Sequence, residues 1–224
     1  MTLPDRRVAA NHDTEAALRV RLAASLRRLS HALVAHEVDT HLLEEMSGES
    51  KSWLERVEQG PSRVRKVVSY VQEVTGPGVQ DGQAFEHFLD CPLSGRSNPF
   101  AIEMSARREG DEAVVLVTLG EGHEGVPGRS HGGIVAAVLD EVNGFVTTML
   151  KVPTVTGELT VRYHQPTPIG KQLEFRGRVV TRTRRKLIVE IIGICEGREI
   201  CSASAVQVIV DPDTLDRGRL ESVK

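Results

Sequence analysis

The chain has 224 residues, with 28 Lys or Arg against 31 Asp or Glu and a formal net charge of −3. This balance excludes the global basic footprint of a nucleic-acid binder and any broad attraction to anionic membrane. Cys91, Cys195 and Cys201 form neither a disulfide framework nor a metal-ligand spacing, and aromatics at 4% are too sparse for a base-stacking surface.

The opening MTLPDRRVAANHD begins no hydrophobic run, so no signal sequence is expected and the cytoplasm is the expected location. Residues 14–46 predict a helix, since Leu18, Leu22, Leu26, Leu29 and Leu33 recur at spacings of three or four between arginines. A second helical piece over roughly 50–58 carries Trp53, Leu54 and Val57 and stops at Gly60-Pro61. This extension, residues 1–80, reads as a brace on the main domain or an oligomer contact rather than a lid. His31, His36, His41 and Glu45 do not make a metal set, because His31 and His36 lack the spacing of paired helical ligands. The breaker cluster TGPGVQDG, residues 75–82, marks the domain boundary. It lacks the Gly-Lys-Ser/Thr and the preceding strand that a phosphate loop needs.

Residues 85–100, FEHFLDCPLSGRSNPF, predict a short helical start and then a polar loop. FAIEMSAR and AVVLVTLG flank REGDE as a hairpin, and EGHEGVPGRS leads into HGGIVAAVLDEVNGFVTTML, residues 131–150. That last segment predicts a helix apolar almost all the way round. Such a helix is either buried or in a membrane, and at about 30 Å it is just long enough to span one. Asp140, Glu141 and Asn143 near its middle favour a buried helix carrying a functional site.

Four strands follow: VTGELTVRYHQP, KQLEFRGRVVTRT, KLIVEIIGIC and EICSASAVQVIV. Alternation of Leu173, Phe175 and Val179 with Glu174, Arg176 and Arg178 marks a sheet with one wet face. The expected fold class is α+β, one long helix laid across the dry face of an antiparallel sheet over residues 81–212, with a tail at 213–224. A hairpin loop at Gly197-Arg198 puts Cys195 opposite Ile200 and turns Cys201 to the other face, which argues against a disulfide between them.

Candidate chemistry gathers at the long helix. Gly132 and Gly133 place backbone N–H donors and the positive helix end at one point, able to polarise a carbonyl. Asp140, eight residues after Gly132, can serve as general base or nucleophile. A packing role for the glycines and a hydrogen-bonded core role for Asp140 stand equally open on these grounds. Arg182, Arg184, Arg185 and Lys186 gather at a turn, as either a solvated wet-face run or a phosphate contact.

His131-Gly132-Gly133, Asp140 nine positions after the histidine, and the Gly125-Val126-Pro127-Gly128 loop resemble the signature of hotdog-fold acyl-CoA thioesterases, closest to the phenylacetate-pathway-like group. The stretch Thr156 to Tyr163 followed by Pro166 and Pro168 is similar to that family's strand after the helix, and Arg184-Arg185-Lys186 stands in place of its Gly-Arg-Lys. The resemblance spans about residues 90–211. It implies a helix wrapped by a curved antiparallel sheet, in a homodimer or homotetramer with active sites at the subunit interface. It implies that Gly132 holds the thioester carbonyl and that Asp140 activates water or attacks directly. Thr156 would help place the water from the partner subunit, and His131 would fix the glycine turn or touch the carbonyl. Gly133 joins the substrate-binding set, with Arg184, Arg185 and Lys186 on the coenzyme A phosphates. Some relatives carry an asparagine six residues before the histidine, where this chain has Gly125. The expected partner is a small acyl-CoA, with no nucleic acid and no membrane, and no metal or other cofactor is implied beyond coenzyme A as part of the substrate. A non-catalytic acyl-CoA or acyl-ligand binder is the second reading, and a hydratase or dehydratase on the same fold the third.

Overall fold

The structure is a computed structural model that describes residues 6–63 and 76–211. Helix α1 runs Arg6–Ala35 and α2 runs Thr40–Glu58. The break therefore falls at residues 36–39, not after residue 46 as the leucine spacing suggested. Its cause is a cap: the Asp39 carboxylate accepts from the His41 and Leu42 N–H groups and starts a new helix there. Gly48 then lies inside α2. Most of the leucine stripe stays exposed, while Ala23 is buried. Helix α1 meets the rest of the chain through polar contacts. The Arg27 guanidinium donates to the Arg96 and Asn98 carbonyls, and the His31 ring accepts from the Gly122 N–H.

The strands are β1 (Ala84–Phe85), β2 (Met104–Glu109), β3 (Glu112–Thr118), β4 (Glu124–Val126), β5 (Arg129–Ser130), β6 (Thr154–Tyr163), β7 (Gln172–Arg182), β8 (Lys186–Cys195) and β9 (Arg198–Ile209), with helix α3 at Gly132–Met149. Seven of them form one antiparallel sheet in the order β1-β2-β3-β7-β8-β9-β6, while β4 and β5 pair separately. The segment after Phe85 forms turns instead of the short helix expected there; its side chains are drawn to α3, and β1 pairs with β2. The last hairpin turns at Glu196-Gly197, both at positive φ, one residue before the expected loop. Cys195 consequently faces Arg198 and Cys201 faces Gly193. All three cysteines are free and buried. The tail at 213–224 lies outside the described residues, and no described helix is long and apolar enough to cross a membrane.

Helix α3 fills the concave face of this sheet. Val135, Val138, Leu139, Val142, Phe145, Val146 and Met149 share one cluster with Val115, Leu173, Phe175, Val189 and Ile191. Each such side chain contributes about 1.5–3 kcal/mol by leaving water. Contact is closest at Gly177 of β7, where an added Cβ would lie 2.9 Å from Val146 Cγ2 and 3.1 Å from Val142 Cγ1. Only a hydrogen fits between helix and sheet there. Gly177→Val should therefore destabilise the domain by about 1–3 kcal/mol through overpacking, read as a lowered denaturation midpoint with unchanged slope.

Candidate active site

At the start of α3, His131 is the N-cap, and its Nδ1 accepts from the Gly133 N–H at 3.0 Å. The Ile134 and Val135 N–H groups bond the His131 carbonyl. Gly133 is thus occupied, and among the described residues Gly132 supplies the first-turn donor that stays available. On its other side, the Gly132 carbonyl accepts from the Tyr163 hydroxyl at 2.8 Å, which ties the glycine peptide to the far end of β6. A groove of about 480 Å³ opens beside it, lined by Val126, Arg129, Val135, Tyr163 and Pro166 among others. Gly125 has no room for a side chain, because a Cβ there would sit 2.9 Å from the His131 Cα. An asparagine at that position would force the N-cap out of place.

Asp140 lies elsewhere. Eight residues of helix amount to about 12 Å of rise, too far for Gly132 and Asp140 of one chain to act on the same carbon. Asp140 instead meets Thr156, whose hydroxyl donates to Oδ1 at 3.0 Å. Thr156 and Asp140 therefore come from the same chain, since β6 follows α3 directly and returns along it. A β-bulge makes the contact possible. Thr156 pairs with Gln207 and Glu158 with Val206, leaving Gly157 as the extra residue. Before the bulge Thr154 and Thr156 face inward, and after it Leu159 and Val161 do, both packed against the core. The shift of phase lets one strand serve both the site and the core. Gln207 donates to Thr156 Oγ1 at 2.8 Å and Asn143 at 3.4 Å. Gln207 is 2% exposed and Asn143 fully buried. Asn143 Oδ1 has no hydrogen-bond partner among the described residues.

A second polar cluster, which sequence reasoning missed, lies about 100° round α3 from Asp140, at Glu141. His87 Nδ1 is 2.7 Å from Glu141 Oε1, and the Cys91 thiol and Ser94 hydroxyl donate to the same oxygen. The His87 ring also stacks on Phe145 with centroids 4.3 Å apart. Burial opposes charge on His87, but its contacts with Cys91 and Glu141 and the Glu141 charge outweigh that and raise its pKa to about 9. Burial likewise opposes charge on Glu141, yet His87, Ser94 and Cys91 hold it below the usual carboxylate range. His87, Cys91 and Glu141 carry metal-type donor atoms within 4.8 Å of one another. All of these donors converge on one carboxylate oxygen, so the group reads as a hydrogen-bonded pin holding residues 87–94 on the helix. An acid in an otherwise apolar helix was the available signal; its partners lie some fifty residues upstream, in a loop without periodicity.

The cationic turn falls at the Asp140 end. Arg184, Arg185 and Lys186 are exposed, and the Arg185 carbonyl bonds the Ile209 N–H opposite Thr154. Arg176, by contrast, is committed to Glu109, Glu112 and Glu174 on the wet face. The structure thus brings Asp140, Thr156, Arg184, Arg185 and Lys186 to one end of β6, and His131, Gly132 and Gly133 to the other.

Residues 128–202, which hold the glycine turn, Asp140 and Thr156, match the model of the thioesterase superfamily. A crystallised thioesterase superfamily protein is similar over 86% of this chain and 90% of its own, with a TM-score of 0.72 at 24% identity. The helix in a curved seven-stranded antiparallel sheet is the hotdog fold. A hypothetical thioesterase protein from Streptococcus pneumoniae, solved with coenzyme A, is 19% identical over 48% of this chain and 89% of its own, at a TM-score of 0.46. A variant of the phenylacetic acid degradation protein PaaI from Thermus thermophilus is 21% identical over 49% and 95%, also at 0.46. No curated protein matches the chain.

The His87–Glu141 pin gives the hotdog domain a defined pH window. His87, raised from 6.5 to about 9, contributes stability fully below its unfolded value and loses it as pH rises through 9. Glu141, lowered, contributes above its unfolded value and loses it on acidification. His87→Ala should cost about 3–5 kcal/mol near pH 6, the scale for breaking a buried pair. The gap between the thermal melts of the two proteins should narrow as pH rises toward about 10, leaving the part owed to the His87 ring's packing on Phe145.

Proposed function

We propose that the protein hydrolyses acyl-CoA thioesters to the free acid and coenzyme A. The observation that carries this reading is the placement of two half-sites at opposite ends of one open edge strand. Thr156 and Asp140 mark one end of β6, Tyr163 and Gly132 the other. β6 is the last strand of the sheet and mostly exposed along its ten residues. Its outer N–H and C=O groups are a template for another strand. The occupant that fits is a second copy of the same strand, antiparallel across a two-fold axis. In a register centred between Leu159 and Thr160, Thr156 of one copy faces Tyr163 of the other. Gly132 of the second copy then approaches Asp140 of the first, which removes the 12 Å separation imposed by one helix.

In that assembly Gly132 N–H and the helix dipole hold the thioester oxygen. Asp140, steadied by Thr156, takes a proton from water as the water oxygen bonds to the carbonyl carbon. Collapse of the tetrahedral adduct breaks the C–S bond, and the departing thiolate takes up a proton. Arg184, Arg185 and Lys186 meet the phosphates of coenzyme A in this reading.

Thiol release from a panel of acyl-CoAs, followed with a thiol reagent, tests the reaction; a binder without catalysis releases none. Asp140→Asn should lower kcat at least about 100-fold in a folded protein, and near-normal turnover would remove Asp140 from the mechanism. Gly132→Pro deletes the N–H at a position where proline suits a helix start and should also be inactive. Exchanging subunits between these two inactive variants should restore activity, because one site in each mixed dimer is intact; no recovery means that each chain completes its own site. Neutralising Arg184, Arg185 and Lys186 together should raise KM and weaken its salt dependence, with little effect on kcat.

A further inference from the structure

We infer that Gln207 is a positioning residue that directs the Thr156 hydroxyl hydrogen onto Asp140. The inference rests on the hydrolytic reading above. A threonine hydroxyl has one hydrogen and two lone pairs. Amide N–H groups can only donate, and two of them face Thr156 Oγ1, from Gln207 at 2.8 Å and from Asn143 at 3.4 Å. With both lone pairs engaged, the single hydrogen points to Asp140 Oδ1, where it is found at an O···O distance of 3.0 Å. The carboxylate is then held by one oxygen, and the other is left to take a proton.

The position of Gln207 supports a role beyond packing. It occupies an inward site of β9 in line with Ala203 and Ala205 and is 2% exposed. An apolar side chain at such a position buries itself without a polar penalty, whereas a buried amide costs free energy unless bonded. Asn143 beside it is fully buried with its Oδ1 unpartnered among the described residues. Two buried amides converging on one hydroxyl stabilise a core poorly. They fix the orientation of a hydroxyl well.

The test uses the full chain and its best acyl-CoA substrate, with kcat and KM measured from pH 5 to 9. Q207M removes the donor at similar size and should lower kcat about tenfold across the range, the scale of one hydrogen bond to a charged group, with KM within about twofold. Q207E behaves differently with pH. Protonated, its carboxyl donates to Thr156 much as the amide does; ionised, it competes for the hydroxyl hydrogen. Its kcat should approach wild type at low pH and fall as pH rises, with the transition moved upward by burial. This new limb should vanish in the Thr156→Val background, where no hydroxyl remains to redirect. Wild-type kcat in Q207M, or a limb that persists without the hydroxyl, overturns the inference. If Q207E does not fold, the kcat of Q207M decides alone. A wild-type protein that releases no thiol refutes the hydrolytic reading, whereas an active enzyme indifferent to Gln207 refutes only this one.

Discussion

A helix that is apolar around most of its circumference cannot be buried by one sheet, and this constraint organises the molecule. The concave face of the seven-stranded sheet covers one side of α3. The rest has to be covered by other parts of the chain. Residues 84–98 supply part of that cover. Phe85 and His87 pack on Phe145, and His87, Cys91 and Ser94 gather around Glu141. The acid is tolerable in the interior because a protonated histidine and two further donors offset its desolvation. Adjacent residues of one helix therefore do different work, with Glu141 fastening the cover and Asp140, about 100° round the helix, facing β6.

The strand after the helix meets a related conflict. β6 has to present Leu159 and Val161 to the core and Thr156 to Asp140, and strict alternation cannot place an even-numbered and two odd-numbered residues on one face. The bulge at Gly157 resolves this by shifting the phase once. The same strand is the sheet edge, so its inner face carries the polar site while its backbone stays open to another chain.

The N-terminal helices are attached with less apolar contact. Arg27 and His31 of α1 bond the backbone around Asn98 and Gly122. The His31 ring sits edge-on to His123, whose pKa is lowered to about 4 by burial and by His31. His123 in turn gives its carbonyl to the His131 N–H. A continuous set of polar contacts therefore runs from α1 to the N-cap of α3.

Local pattern was enough for much of the fold. Hydrophobic periodicity marked α3, β2, β3 and the four strands β6 to β9, turn chemistry marked the REGDE hairpin, and the spacing from Gly132 within an apolar helix pointed to Asp140. These signals live within one turn or one strand and are written in consecutive residues. Other features were decided only by tertiary structure, because they depend on residues far apart in sequence. Asp39 divided a leucine-periodic stretch by capping a new helix. A loop without periodicity brought His87, Cys91 and Ser94 to Glu141. Gln207 became visible as part of the site only when register set it opposite Thr156. The sequence alone determined that Gly132 and Asp140 share a helix; the three-dimensional arrangement determined that one helix holds them too far apart to share a substrate carbon, because its rise per residue is set by backbone geometry.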